Sequence, residues 1–178
     1  MNPLETYLKE MRDIRSTGAA VAETSFYPPL SGLLNEIGKA LKPKVRCVMT
    51  IANRGAGLPD GGLFNANQLK KDVANPMQGQ LPERGAVEAK GLAEDVCKIA
   101  RSSQVKKYSA RYGLVLVTNF RDFVLVGADA QGNPFPMESY TLAETESEFW
   151  LAASHPQKTA EAAVLKHWRK RSVSSHLR

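Results

Sequence analysis

The stretch Val45-Arg46-Cys47-Val48-Met49-Thr50-Ile51 decides the fold class, because the hydrophobic period of the chain changes there. Val45, Cys47, Met49 and Ile51 alternate with Arg46, Val48 and Thr50, the two-residue repeat of a strand with one face in a core. Just upstream, Leu30, Leu33, Leu34, Ile37 and Leu41 follow the 3.6-residue repeat of a helix. Pro28-Pro29 suits the start of that helix, Lys39 and Lys42 complement the negative end of its dipole, and Pro43 stops it.

Working outward, a first helix is expected from Pro3 to Arg12. After the Val45 strand, the glycine-rich turn Arg54-Gly55-Ala56-Gly57-Leu58-Pro59 leads into a short strand from Asp60 to Phe64. Asn65 to Glu83 reads as a long surface loop, and loops of that length in a compact domain are often functional. A strand from Ala86 to Lys90 and a helical region from Glu94 to Tyr112 follow. The apolar runs Leu114 to Val117 and Phe123 to Val126 form a hairpin through Asn119 to Asp122. Gln131-Gly132-Asn133-Pro134 reads as a turn, and the remainder as helical. Strands grouped between helices give an α/β or α+β domain built on a mixed sheet.

The chain has 178 residues, enough for one domain with a real core and an additional terminal element. We divide it into a domain over residues 1–155 and a basic C-terminal helix or tail over 156–178. The net charge of +6 is unevenly spread. Lys158, Lys166, Arg169, Lys170, Arg171 and Arg178 stand against Glu161 alone, so the tail holds nearly all of it. Such a tail either contacts phosphates or is a solvated end, and charge by itself decides little. No run of about 18 apolar residues marks a membrane span, and the first nine residues lack the apolar core of a signal peptide. Cys47 and Cys97 sit inside apolar patterns without companion spacing, as buried thiols of a cytoplasmic protein do. His155, His167 and His176 have no metal-ligand spacing and read as surface histidines.

The constellation that carries chemistry is Pro59-Asp60 with Glu88-Ala89-Lys90. Hydrolysis of a phosphodiester needs oxygen ligands for a hard cation, and a positive group beside the attacking water or the developing charge. On a strand, residues i and i+2 face the same way, so Glu88 and Lys90 project side by side. Asp60 opens the neighbouring strand after a glycine-permitted turn and reaches the same place. Three charges at the margin of an apolar core are costly unless a metal ion or a phosphate uses them. Each piece alone is commonplace; their order, each on an expected strand, is much less so.

These residues resemble the signature of the PD-(D/E)xK nuclease superfamily. Gln104-Val105-Lys106-Lys107-Tyr108 resembles the Q-x-x-x-Y helix motif of some of its branches. Three further stretches, Glu23 to Pro28, Arg54 to Gly62 and Leu116 to Phe123, resemble the N-terminal nuclease region of single-chain restriction-modification proteins that carry an adenine-specific DNA methyltransferase. The resemblance spans about Glu23 to Trp150. It implies a restriction-endonuclease-like three-layer α/β fold, with a central mixed sheet of four or five strands flanked by helices. It also implies a Mg²⁺- or Mn²⁺-dependent DNA endonuclease, with Asp60 and Glu88 as metal ligands and Lys90 assisting the hydrolytic water or the transition state. Gln104 and Tyr108, i and i+4 on one helix face, would position a metal ligand or a phosphate. Glu23 would be an extra metal ligand, with Glu36 as substitute, since Glu23 falls ahead of the prolines rather than inside a helix. Lys106, Lys107 and Arg111 flank the same helix motif and are candidates for DNA phosphates, or else a solvated face.

No adenine-methylation motif occurs, so no methyltransferase activity is expected. The expected partners are DNA and a separately encoded methyltransferase or specificity subunit, with no membrane. The rival reading is a catalytically silent DNA-binding or assembly module of a restriction-modification methyltransferase.

Overall fold

A computed structural model describes residues 2–20, 23–51, 57–69 and 80–163. The turn residues Arg54, Gly55 and Ala56, the middle of the long loop and the basic residues from Lys166 onward lie outside them.

The sheet organises the elements of the described residues. Helix α1 (Pro3–Ser16) is capped by the Asn2 side chain, which accepts from the Leu4 N–H at 2.9 Å. A single 3-10 turn (Thr24–Phe26) leads into α2 (Tyr27–Ala40). Then come β1 (Val45–Met49), β2 (Gly61–Asn65) and β3 (Ala86–Ala89). Helices α3 (Val96–Ala100) and α4 (Ser103–Tyr112) cross to β4 (Val115–Thr118), which turns back into β5 (Asp122–Ala128) and then β6 (Pro134–Thr141). Helix α5 (Glu146–Ser154) follows, and residues 156–163 are helical again.

The strands lie in sequence order, β1-β2-β3-β4-β5-β6. All neighbours are antiparallel except β3 and β4, which run parallel with Glu88 opposite Val117. A parallel pair needs a crossover, and α3 and α4 supply it. The alternation along β3 divides the core into two. Val87 and Ala89 pack with Tyr7, Leu8 and Met11 of α1, Leu30 and Leu33 of α2, and Phe149 and Ala153 of α5. Ala86 packs on the other face with Val96 of α3, Val105 and Tyr108 of α4, and Val115, Val117 and Val124 of the sheet. The three layers and the mixed α/β sheet agree with the restriction-endonuclease-like class expected from the sequence.

Four expectations are corrected. Among the described residues the sheet has six strands rather than four or five: the turn expected at Gln131 to Pro134 is present, but Pro134–Thr141 then forms β6 instead of a helix. Strand β6 accommodates Pro134 and Pro136 because it lies at the edge of the sheet, where a missing N–H is tolerated. The ladder also shifts beside Pro136: Leu125 pairs with Glu138 and Val126 with Pro136, leaving Met137 as a bulge. The helical region from Glu94 to Tyr112 is two helices, since the Ser102 side chain accepts from the Val105 N–H and starts α4 afresh. Cys47 is buried as expected, but Cys97 is exposed. The described ends of the loop between β2 and β3 are not a free surface segment. Gln68 is buried, its amide donating to the Leu81 carbonyl at 2.7 Å and accepting from the Asn65 and Glu83 N–H groups.

Candidate active site at the β2–β3 edge

The end of β3 brings the expected residues together. Glu88 shares its sheet face with Ala86, toward α4, and Lys90 continues that face one residue past the strand. Lys90 Nζ is surrounded by three oxygens: Glu88 Oε1 at 2.7 Å, the Ala89 carbonyl at 3.0 Å and Asp60 Oδ2 at 3.7 Å. Asp60 stands immediately before β2, and both its oxygens are held. Oδ2 accepts from the Ala89 N–H at 2.9 Å, and Oδ1 accepts from the Tyr27 hydroxyl at 2.7 Å. Its backbone carbonyl accepts from the Thr50 N–H at 2.5 Å. Thr50 adopts φ 57°, a left-handed conformation that a β-branched residue rarely takes, at the turn out of β1. Gly61, the next residue after Asp60, has no room for a side chain: a Cβ there would meet Met49 Sδ at 2.7 Å and the Val48 carbonyl at 3.0 Å. Small residues therefore let β2 lie close against β1 and β3 and deliver Asp60 to the end of β3.

Glu88 is the unusual member. Its side chain is 1% exposed. Among the described residues, neither carboxylate oxygen has a hydrogen bond of good geometry: Oε1 has the Lys90 ammonium beside it as an ion pair, and Oε2 has no partner there. Burial pushes its pKa up to about 7, helped by the charges of Asp60 and Glu23 and opposed by Lys90. For Lys90, desolvation acts to lower the pKa, but the three neighbouring carboxylates outweigh it and the net shift is upward.

Gln104 and Tyr108 meet as the i, i+4 spacing predicts, the Gln104 amide donating to the Tyr108 hydroxyl at 3.0 Å. Tyr108 is buried beneath the segment that leads into Asp60; a Cβ on Gly57 would lie 3.4 Å from its hydroxyl. Burial raises the Tyr108 pKa, Gln104 works against that, and the Glu88 and Asp60 charges add to it, so the phenol lies within the field of the cluster.

Glu23 also reaches the site, from just ahead of the 3-10 turn, through Tyr27: the Tyr27 hydroxyl lies 2.8 Å from Glu23 Oε1. Tyr27 itself was not singled out from the sequence. Its spacing of four from Glu23 was the available signal, hidden because Glu23 falls outside the α2 periodicity. Glu36 does not join the site; it is exposed on α2 and paired with Lys39.

The three basic candidates on α4 separate. Taking 100° per residue, Arg111 and Lys107 fall about 20° and 60° from Gln104, whereas Lys106 falls on the far side, about 160° away. Lys106 donates to Asn133 Oδ1 at 2.9 Å in the β5–β6 turn. All three are exposed.

The oxygen set suits a hard divalent cation. Asp60 and Glu88 are carboxylates, the Ala89 carbonyl lies with them around Lys90 Nζ, and Glu88 Oε2 is a buried acceptor without a partner among the described residues. Magnesium typically takes one or two carboxylates and keeps several waters, so two suffice. Among the described residues, no group of three His, Cys, Asp or Glu side chains forms a ready metal cluster. Nor, among them, is any helix long and apolar enough to cross a membrane.

No protein-family model matches the chain, and no curated protein does. Among solved structures it is similar to a chain in the cryo-EM structure of a DrdV–DNA complex, with a TM-score of 0.54 and 17% identity. The match covers 85% of this chain and 13% of that chain, so the likeness concerns the fold of one small part of a much longer protein.

Proposed function

We propose that this chain is a metal-dependent DNA endonuclease domain that hydrolyses phosphodiester bonds within a restriction-modification system. The observation that carries this reading is the convergence of Asp60, Glu88 and Lys90 at one end of the β2–β3 pair, with Glu88 buried and one of its oxygens unpartnered among the described residues. A structural core gains nothing from such an arrangement, because a buried carboxylate without hydrogen bonds is costly. The likeness in fold to a protein solved bound to DNA supports the choice of DNA as substrate.

In this reading Asp60, Glu88 and the Ala89 carbonyl hold Mg²⁺ or Mn²⁺. When bound, the ion supplies an activated water and neutralises charge on the phosphate. Lys90 keeps its proton and places an ammonium where negative charge develops on the phosphate oxygens. Tyr108 and Gln104 line the same site from α4 and orient the phosphate or a ligand. Lys107 and Arg111, on the Gln104 side of α4, neutralise neighbouring backbone phosphates.

The test is cleavage of plasmid and linear DNA with Mg²⁺ or Mn²⁺ by the wild type beside Asp60→Ala and Lys90→Ala. Metal-dependent cutting that both substitutions abolish is the expected result. Cutting that survives both would refute the assignment. DNA and metal binding without cutting would instead support the catalytically silent module, with activity supplied on assembly with a methyltransferase or specificity partner.

A further inference from the structure

The phenol of Tyr27 has one proton and two acceptors. Glu23 Oε1 lies 2.8 Å away on one side and Asp60 Oδ1 2.7 Å away on the other. A hydroxyl donates one hydrogen bond at a time, so only one carboxylate receives it at any moment. The O–H can rotate between them without moving a heavy atom. The ring itself is fixed. Tyr27 opens α2 immediately before Pro28 and Pro29, whose locked φ angles suit a helix start, and its ring packs partly buried against the core. Asp60 is equally constrained, with Oδ2 on the Ala89 N–H and its carbonyl on the Thr50 N–H. Between the held ring and the held Asp60, the direction of the Tyr27 hydroxyl is free to change.

We infer that Tyr27 is a positioning residue of the active site: it holds Asp60 Oδ1 and links Glu23 to it, so that Glu23 acts on the site through the phenol and not as a ligand. This rests on the nuclease reading above. When a cation draws on Asp60 Oδ1, the phenol turns its hydrogen to Glu23, and Asp60 is released without leaving the hydroxyl unsatisfied. Without Glu23 the hydroxyl stays on Asp60 and competes with the cation. Without the hydroxyl, Asp60 loses one of the two bonds that set its rotamer.

The experiment is calorimetric titration of the full chain with Mn²⁺, comparing wild type, Tyr27→Phe, Glu23→Ala, the double variant and Asp60→Asn. Partners behind a metal ligand typically matter by about 10- to 100-fold in affinity. Tyr27→Phe and Glu23→Ala are each expected to weaken binding by about tenfold or more. Residues that act through one another are not additive, so adding Glu23→Ala to Tyr27→Phe should change affinity by less than about twofold. Further loss in the double variant would mean that Glu23 acts on the ion independently of the phenol, by contact or by its charge, and would overturn the inference. So would wild-type affinity in Tyr27→Phe, or in Glu23→Ala should Tyr27→Phe prove unfolded. In each of these cases, loss of binding in Asp60→Asn leaves the nuclease reading standing. Absence of Mn²⁺ binding by the wild type, or full binding by Asp60→Asn, would overturn both.

Discussion

Lys90 Nζ lies 2.7 Å from Glu88 Oε1, yet the fold exposes about a third of the ammonium-bearing side chain and buries the carboxylate almost completely, at 32% and 1%. The pair is therefore unequal. Lys90 can keep part of its hydration, while among the described residues Lys90 is the one ion-pair partner of Glu88. Such a carboxylate is costly when charged and cheap when protonated, and this sets the response of the domain to pH.

Glu88 has its pKa raised from 4.5 to about 7 by burial. Between those values the folded state binds more protons than the unfolded state, so stability falls as pH rises through that window. The stability is fully present below the lower value and lost above the higher one. The shift corresponds to about 3 kcal/mol. Urea unfolding in the presence of a chelator should show wild-type stability declining between pH 4.5 and 8, and the decline should largely vanish in Glu88→Gln. An equal slope in the two proteins would show that Glu88 does not titrate in this window.

Lys107 and Arg111 stand on the Gln104 side of α4, while Lys106 is turned to Asn133. DNA binding by Lys107→Ala and by Arg111→Ala should weaken uniformly across sequences. The magnitude of the slope of log K against log salt should drop by about one for each. Lys106→Ala should leave that slope near the wild-type value. Equal effects at all three positions would place the DNA elsewhere on the helix.

Arg121 ties the segment after β3 to the segment before α5. Its Nε donates to the Leu92 carbonyl at 3.1 Å, one terminal nitrogen donates to the Ala143 and Glu144 carbonyls at 3.1 and 2.8 Å, and Asp122 pairs with it at 2.8 Å. The side chain is 14% exposed. Arg121→Ala leaves partly buried carbonyls and Asp122 uncompensated, and should cost about 2–4 kcal/mol in denaturant unfolding. Arg121→Lys should recover only part of it, since an ammonium cannot span the same fork of acceptors. A loss below about 1 kcal/mol would show that the loops hold without this clamp.

Much of the architecture was legible because it is written in short-range patterns. The α2 stripe, the alternation in β1 and the apolar runs of β4 and β5 all come from which face must be buried, and each was placed within a few residues. Strand β6 was not, since its residues are mostly exposed and carry no burial pattern; pairing with β5 makes it a strand. The break between α3 and α4 likewise depends on one serine cap.

The sequence by itself determined the chemistry on offer at the site: Glu88 and Lys90 on one strand face, Gln104 and Tyr108 on one helix face, and Asp60 at a strand entrance. Periodicity settles such neighbours because backbone geometry alone brings i+2 or i+4 together. Tertiary structure decided how they meet. The approach of β2 to β3 puts Asp60 within 3.7 Å of Lys90, the packing of α2 on the sheet places Tyr27 between Glu23 and Asp60, and burial leaves Glu88 with Lys90 as its one ion-pair partner among the described residues. The Asp60–Lys90 and Tyr27–Asp60 contacts join residues about 30 positions apart in the chain, and only the burial of the intervening apolar faces brings them into register.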